Sequence, residues 1–153
     1  MKRIVSLLLV FLLSFTMVNV VLAEEMMNVY TKDGKVQKIK VSDFDAWQAA
    51  GWYSAPVMDI YNINNETRVI AVSDFSRWSV SGWYSEPVMK VYAIDGRSEI
   101  ITKNDFSRWS ASGWYSEPVM TVYTLDGRTE IIPISAFNSW SASGWYSEPV
   151  MTV

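Results

Sequence analysis

The octapeptide Gly-Trp-Tyr-Ser-Glu-Pro-Val-Met occurs three times in this chain, at positions 82–89, 113–120 and 144–151. A fourth version, in which Ala55 replaces the glutamate, occupies positions 51–58. Successive versions begin 31 residues apart, a spacing typical of repeat units that bury their apolar faces against one another. The sequence therefore predicts four copies of one structural unit. These copies span 28–58, 59–89, 90–120 and 121–151.

Each copy is predicted to begin with a β-hairpin. In the last copy, two strand-like runs flank Asp126-Gly127, and an Asp-Gly pair suits a two-residue turn in which both residues need positive φ. The other copies hold Asp33-Gly34, Asn64-Asn65 and Asp95-Gly96 at this place. With a two-residue turn, Tyr123 lies opposite Glu130, and we expect Tyr123, Leu125 and Ile132 on one face. A turn longer by one residue would reverse this assignment.

A short helix is predicted after each hairpin. Its candidate N-caps are side chains whose oxygens can accept hydrogen bonds from the free amides of the first turn. They are Ser42, Ser73, Asn104 and Ser135. A Phe and a Trp then follow three residues apart, as in Phe106 and Trp109, which places both on one side of the helix. The glycine of the octapeptide is expected to end the helix in a left-handed conformation, and its proline favours an extended path onward.

The end of the chain repeats the beginning of each copy. Residues 150–153, Val-Met-Thr-Val, match the start of the earlier first strands, so a fifth first strand is predicted there. A strand without its own hairpin would complete the preceding copy, and we expect neighbouring copies to share sheet or core. The predicted fold is α+β, with tandem ββα repeats and a closing strand packed as one array that unfolds cooperatively.

The first 23 residues have the pattern of a secretory signal peptide. Lys2 and Arg3 precede a largely apolar run, and Val21-Leu22-Ala23 places small residues at the two positions that a signal peptidase reads. Cleavage is predicted near Ala23, which leaves residues 24–153 as a mature secreted or surface chain of a bacterium. The alternative is an uncleaved membrane anchor, because the run approaches the ~20 residues that span a bilayer. Contact with a membrane is expected only through this segment.

The charge balance argues against polyanionic partners. Without Lys2 and Arg3, 11 basic side chains face 16 acidic ones, for a net charge of −5. Binding of nucleic acid normally needs a basic surface, so no nucleic-acid partner is expected. The chain has no cysteine, so packing has to stabilise the exported protein without disulfides.

The composition also argues against catalysis. Histidine and cysteine are both absent, which removes the commonest general base, the thiol nucleophile and most transition-metal ligands. Carboxylates such as Asp74 and Glu86 recur, and a glycosidase needs two of them around its substrate. They recur in similar settings, however, whereas catalysis needs one asymmetric site. We expect solvated charges, no enzyme, no metal and no cofactor.

The candidate binding residues are the aromatic pair after each octapeptide glycine and the glutamate that follows. They are Trp52, Tyr53, Trp83, Tyr84, Glu86, Trp114, Tyr115, Glu117, Trp145, Tyr146 and Glu148. Repeated Trp and Tyr rings can stack on sugars or anchor a protein, and repetition raises a weak affinity. The alternative is that these rings close the core between copies. The strand tyrosines at 30, 61, 92 and 123 are expected to pack across strands, or to form an exposed ladder.

The motifs Asp-Gly-Arg, Ser-Asp-Phe-Ser-Arg-Trp and Gly-Trp-Tyr together resemble the short hairpin-helix repeats of secreted and surface proteins of Gram-positive bacteria. The resemblance covers the whole mature region and implies a location at the cell envelope. The unit is longer than a choline-binding repeat and contains a helix, so choline recognition is not carried over. The sequence predicts a non-enzymatic module that binds a cell-wall glycan or a protein partner. The alternative is a structural spacer or a self-assembling surface subunit.

Overall fold

A computed structural model describes residues 22–151. The predicted signal segment lies outside this range except for Leu22 and Ala23, and so do the last two residues of the predicted closing strand. Among the described residues, every helix is too short or too polar to cross a membrane.

The described chain contains nine strands and four short helices in a repeating order. The strands are β1 (Met26–Tyr30), β2 (Val36–Lys40), β3 (Val57–Tyr61), β4 (Thr67–Ala71), β5 (Val88–Ala93), β6 (Ser98–Thr102), β7 (Trp114–Tyr115), β8 (Val119–Tyr123) and β9 (Thr129–Pro133). The helices are α1 (Phe44–Ala49), α2 (Phe75–Ser79), α3 (Phe106–Ala111) and α4 (Phe137–Ala142), each preceded by one 3₁₀ turn. The fold is α+β and consists of repeated ββα units, as predicted.

The hairpin turns are one residue longer than predicted, and this reverses the expected buried face. In copy 4 the Thr124 N–H donates to the Arg128 carbonyl at 3.0 Å, which closes a three-residue loop with Gly127 at φ +84°. Such loops combine a type I turn with a left-handed residue. Tyr123 therefore pairs with Thr129 instead of Glu130. The expectation that Tyr123 and Ile132 share a face is wrong, because Ile132 is buried beside Val122 on the opposite face.

Each copy has its own small core between hairpin and helix. Its centre is one aliphatic residue from each strand, and both are buried. These pairs are Val29 and Ile39, Ile60 and Ile70, Val91 and Ile101, and Val122 and Ile132. In copy 2 the pair packs with Trp83, and Met58, Phe75 and Trp78 surround it. In copy 2 the helix residues Phe75 and Trp78 thus pack against the core, as their spacing predicts.

The helices begin differently from the prediction. The proposed N-cap Ser42 and its equivalents lie inside the 3₁₀ turns, and none of the four helices has a side-chain capping bond. The backbone satisfies this end instead, because the Phe44 N–H donates to the Val41 carbonyl and closes the 3₁₀ turn.

The helix ends agree with the prediction. Gly51 has φ +89°, its N–H donates to the Gln48 carbonyl at 3.0 Å, and the Trp52 N–H donates to the Trp47 carbonyl at 3.1 Å. This pair of bonds is the Schellman motif, which often carries an apolar contact between the residues joined by the longer bond. The contact here is between two indole rings, Trp47 and Trp52, with centroids 5.0 Å apart.

The prediction was a shared sheet or a shared core, and among the described residues the four hairpins form separate sheets. The Schellman turn reverses the chain, and the octapeptide tyrosine returns to the first strand of its own copy. Tyr30 and Tyr53 exchange two backbone hydrogen bonds of 2.9 Å. Val150 and Met151 lie in no strand, and the closing strand over 150–153 stays a prediction.

Side chains link neighbouring copies. The Lys32 ammonium lies 2.7 Å from Asp59 Oδ1, a buried oxygen for which the described part of the chain offers no hydrogen-bond partner besides this contact. The Asp59 carboxylate raises the pKa of Lys32 through this contact. Further along the chain, Lys103 Nζ donates to Asn65 Oδ1 at 2.7 Å.

Candidate functional site

The tryptophans after the glycines pack against the helices of their own copies. Each packs edge-on against the helix tryptophan five positions earlier, with ring centroids 5.0–5.6 Å apart, a favoured arrangement for aromatic pairs. Trp83 retains only 8% of its exposure. Trp52, Trp114 and Trp145 are half-buried.

An arginine from the hairpin lies over this tryptophan in three copies. Its guanidinium carbon is 5.1–5.7 Å from the ring centroid, within the range of cation–π attraction. The pairs are Arg68 with Trp83, Arg97 with Trp114, and Arg128 with Trp145. The prediction missed these arginines. The available signal was an arginine close after each of these three turns.

The tyrosines after the tryptophans point the other way. Each is paired with the tyrosine of the first strand, so both rings lie on the same face of the small sheet. The pairs are Tyr30 and Tyr53, Tyr61 and Tyr84, Tyr92 and Tyr115, and Tyr123 and Tyr146. This face is opposite to the buried valine or isoleucine beside each strand tyrosine. Tyr146 is 40% exposed, and the other three octapeptide tyrosines are half-buried.

A groove opens between the helix and the octapeptide in copies 2 and 4. Its volume is about 390 Å³ in copy 2 and about 380 Å³ in copy 4, within the size range of ligand sites. The shared lining is Phe75, Ser79, Trp83, Tyr84, Ser85 and Glu86 in copy 2, and Phe137, Ser141, Trp145, Tyr146, Ser147 and Glu148 in copy 4. We call these two sites the aromatic grooves.

The walls beyond these six positions differ between the two grooves. Val88 and Thr102 of the next hairpin complete the groove of copy 2. Pro149, Val150 and Met151 complete that of copy 4. Neither lining includes a lysine or an arginine.

The groove glutamates are exposed and keep their carboxylates available. Among the described residues, no hydrogen bond or ion pair involves Glu86 or Glu148. In copy 3, by contrast, Ser135 of the next copy donates a hydrogen bond to Glu117 at 3.4 Å. Copy 1 has Ala55 at this position and therefore no carboxylate.

The remaining predicted residues lie elsewhere. Trp52 and Trp114 line smaller clefts on the helix side of their copies, of about 230 and 270 Å³. The structure thus brings six of the eleven predicted residues into the aromatic grooves: Trp83, Tyr84, Glu86, Trp145, Tyr146 and Glu148. The prediction missed the groove roles of Phe75 and Ser79 and of their equivalents in copy 4. It had assigned the phenylalanine wholly to the core.

The described residues contain no cluster of three or more side chains that could bind a metal ion. Comparison of the chain with models of known protein families, with curated protein sequences and with solved structures gives no match.

Proposed function

We propose that this protein is a secreted, non-enzymatic module whose ββα copies pack as one array and bind a cell-envelope polymer through the aromatic grooves. The observation that carries the proposal is the recurrence of one groove, with the same six residue types, in copies 2 and 4.

The lining of the grooves suits a glycan. Phenylalanine, tryptophan and tyrosine offer apolar surface for the carbon faces of a sugar ring, and tyrosine adds a polar group at its edge. The serine hydroxyls and the glutamate carboxylate can bind sugar hydroxyls. Each groove is small and holds only a short segment of a chain, but two grooves on one protein raise the affinity for a repeating polymer.

Other features support the location and the array. The signal pattern of residues 1–23 indicates export, and the acidic mature chain disfavours a polyanionic partner. The ion pair between Lys32 and Asp59 and the bond between Lys103 and Asn65 support packing of successive copies against each other.

Retention of the mature chain on purified bacterial cell wall tests the proposal. We expect the wild type to be retained, and the double variant Tyr84→Ser/Tyr146→Ser to bind about tenfold or more weakly, because each groove loses an aromatic wall. The matched control is Tyr53→Ser/Tyr115→Ser, which changes the same octapeptide position in copies 1 and 3. Circular dichroism establishes that both variants are folded.

Two results would overturn the proposal. Failure of the wild type to bind the wall would remove the polymer as a partner. An equal loss in the groove variant and in the control would show that retention does not depend on the aromatic grooves.

A self-assembling surface subunit is the second candidate, because copy 4 exposes aliphatic side chains at Leu125 and Ile131. Copy 1 has Lys32 and Lys38 at these positions. A molecular mass that rises with concentration, and falls to that of a monomer in Leu125→Lys/Ile131→Lys, would favour self-assembly over polymer binding.

A further inference from the structure

The aromatic grooves combine two features that attract cations. Three aromatic residues line each one, Phe75, Trp83 and Tyr84 in copy 2, and the negative faces of aromatic rings attract ammonium groups. Glu86 adds a full negative charge in the same lining. Copy 4 repeats both features.

No basic side chain of the protein neutralises these carboxylates among the described residues. Arg68 lies over Trp78 and Trp83 and is not part of the groove lining. In copy 4 the corresponding cation, Arg128, has its own partner, since its Nε lies 2.9 Å from Asp126.

The charge of the whole mature chain, −5, has the same sign as the grooves. A polymer rich in phosphate or carboxylate would meet repulsion both at long range and in each groove. A fully neutral glycan would contact the rings but would gain nothing from the charge of the two glutamates.

We infer that the aromatic grooves select a glycan whose amino sugars carry free, protonated amines, with Glu86 and Glu148 as the counter-charges. This inference rests on the proposed function and names the class of polymer. The sugar ring lies against the aromatic wall, and its ammonium group donates to the carboxylate. Because the carboxylates are exposed, salt weakens the selectivity.

Calorimetric titration with two soluble probes of equal length, a glucosamine hexamer and an N-acetylglucosamine hexamer, tests the inference. The titration is run at mildly acidic pH, where the unacetylated amines are protonated. We expect the wild type to bind the amino form at least tenfold more tightly than the acetylated form.

The double variant Glu86→Gln/Glu148→Gln is expected to lose this preference and to keep its affinity for the acetylated hexamer. The matched control is Glu99→Gln/Glu130→Gln, which removes the same two charges from exposed strand positions outside the groove linings. The control should keep the preference. It thereby separates the groove carboxylates from the general attraction between an acidic protein and a cationic oligomer.

The possible failures are distinguishable. Equal affinity for the two hexamers, or a preference that survives Glu86→Gln/Glu148→Gln, overturns the charge selection and leaves glycan binding in place. Binding to cell wall without binding to either hexamer overturns the inferred class of glycan but not the proposed function. Binding to neither wall nor hexamer overturns both.

Discussion

Copies 2 and 4 have the same octapeptide, but they bury it to different extents. At its end, Val88 is 4% exposed in copy 2, whereas the matching Val150 is 38% exposed in copy 4. Trp83 is buried, whereas Trp145 is half-buried. In copy 2 the valine begins the next hairpin, which also supplies Thr102 to the groove wall. In copy 2 the octapeptide is therefore buried against the hairpin that follows it, whereas Trp52 and Trp114, which also precede a hairpin, are half-buried.

The hairpin cores of the two copies, by contrast, are alike. Ile60 in copy 2 and Val122 in copy 4 are both fully buried. Copy 2 therefore has two layers: a hairpin core that the copy completes by itself, and an octapeptide that packs beside Val88 and Thr102 of the next hairpin. The separate sheets and the local core of copy 2 belong to the first layer.

The largest expected effect comes from removing the octapeptide tryptophan. We expect Trp83→Ala to lower the free energy of unfolding by about 3–5 kcal/mol, the usual loss for a buried large aromatic side chain. Trp145→Ala should cost at least about 1 kcal/mol less, because water already reaches part of that ring and less surface is lost. Urea denaturation of residues 24–153, followed by circular dichroism, gives both values.

The shape of the unfolding transition in the same experiment shows whether the copies unfold together. If the copies unfold together, Trp83→Ala shifts one transition as a whole. If each copy unfolds alone, the variant shows an additional transition at lower urea concentration, and the transition of the other copies is unchanged. An equal loss of stability in the two variants would contradict the idea that the following hairpin stabilises copy 2.

The sequence predicted correctly the features that depend on residues close together in the chain. The glycine that ends each helix, the spacing of Phe and Trp, and the order of strands and helix are all set by residues close together in the chain. The turn length was wrong because Asp126-Gly127 also fits a three-residue loop, in which only Gly127 needs positive φ. The sequence left a shared sheet or a shared core open, and the sheets are separate because the chain reversal at the glycine brings Tyr53 back to Tyr30.

Only some of the residues that line the aromatic grooves could be predicted from the sequence. Trp83, Tyr84 and Glu86 could be identified because they recur in the octapeptide. Phe75 was assigned to the core alone, and Thr102 comes from a different copy. Aligning the four copies shows which residues recur within a copy, but it does not show which residues of different copies touch. The full lining of the groove can therefore be identified only from the three-dimensional structure.

A smaller and more uniform effect is expected from alanine in place of the helix-ending glycine. Gly82 has φ +84° and Gly144 has φ +88°, and an added Cβ would meet no atom within 4 Å at either site. The cost is therefore conformational, about 1–2 kcal/mol for a non-glycine residue in this region. We expect Gly82→Ala and Gly144→Ala to lose the same stability in thermal denaturation, although Trp83 and Trp145 differ. Ser81→Ala, at an exposed neighbour, should be nearly neutral. A much larger loss at Gly82 would show that strain at this position spreads to the next hairpin.

The smallest expected effect is a difference between the hairpin turns of copies 2 and 4 in how their stability depends on pH. In copy 2 the turn is held by a neutral amide, since Asn62 Oδ1 accepts hydrogen bonds of 3.0 Å from the amides of Asn64 and Glu66. In copy 4 a hydrogen bond from the Thr124 hydroxyl, and then the contact with Arg128, lower the pKa of Asp126. The turn of copy 4 is thus stabilised by a charge that acid removes.

The substitution Asp126→Asn gives copy 4 the residue type that copy 2 has at position 64. A carboxyl group whose pKa is lower in the folded chain stabilises the fold above its unfolded pKa of about 3.9, and this contribution disappears as the pH falls through the folded value. The variant should therefore be less stable than the wild type at pH 7, and the difference should vanish in acid, below the folded pKa. Urea titrations of both chains across this pH range measure the difference. A constant gap at every pH would mean that the shape of the side chain at position 126, and not its charge, stabilises the turn.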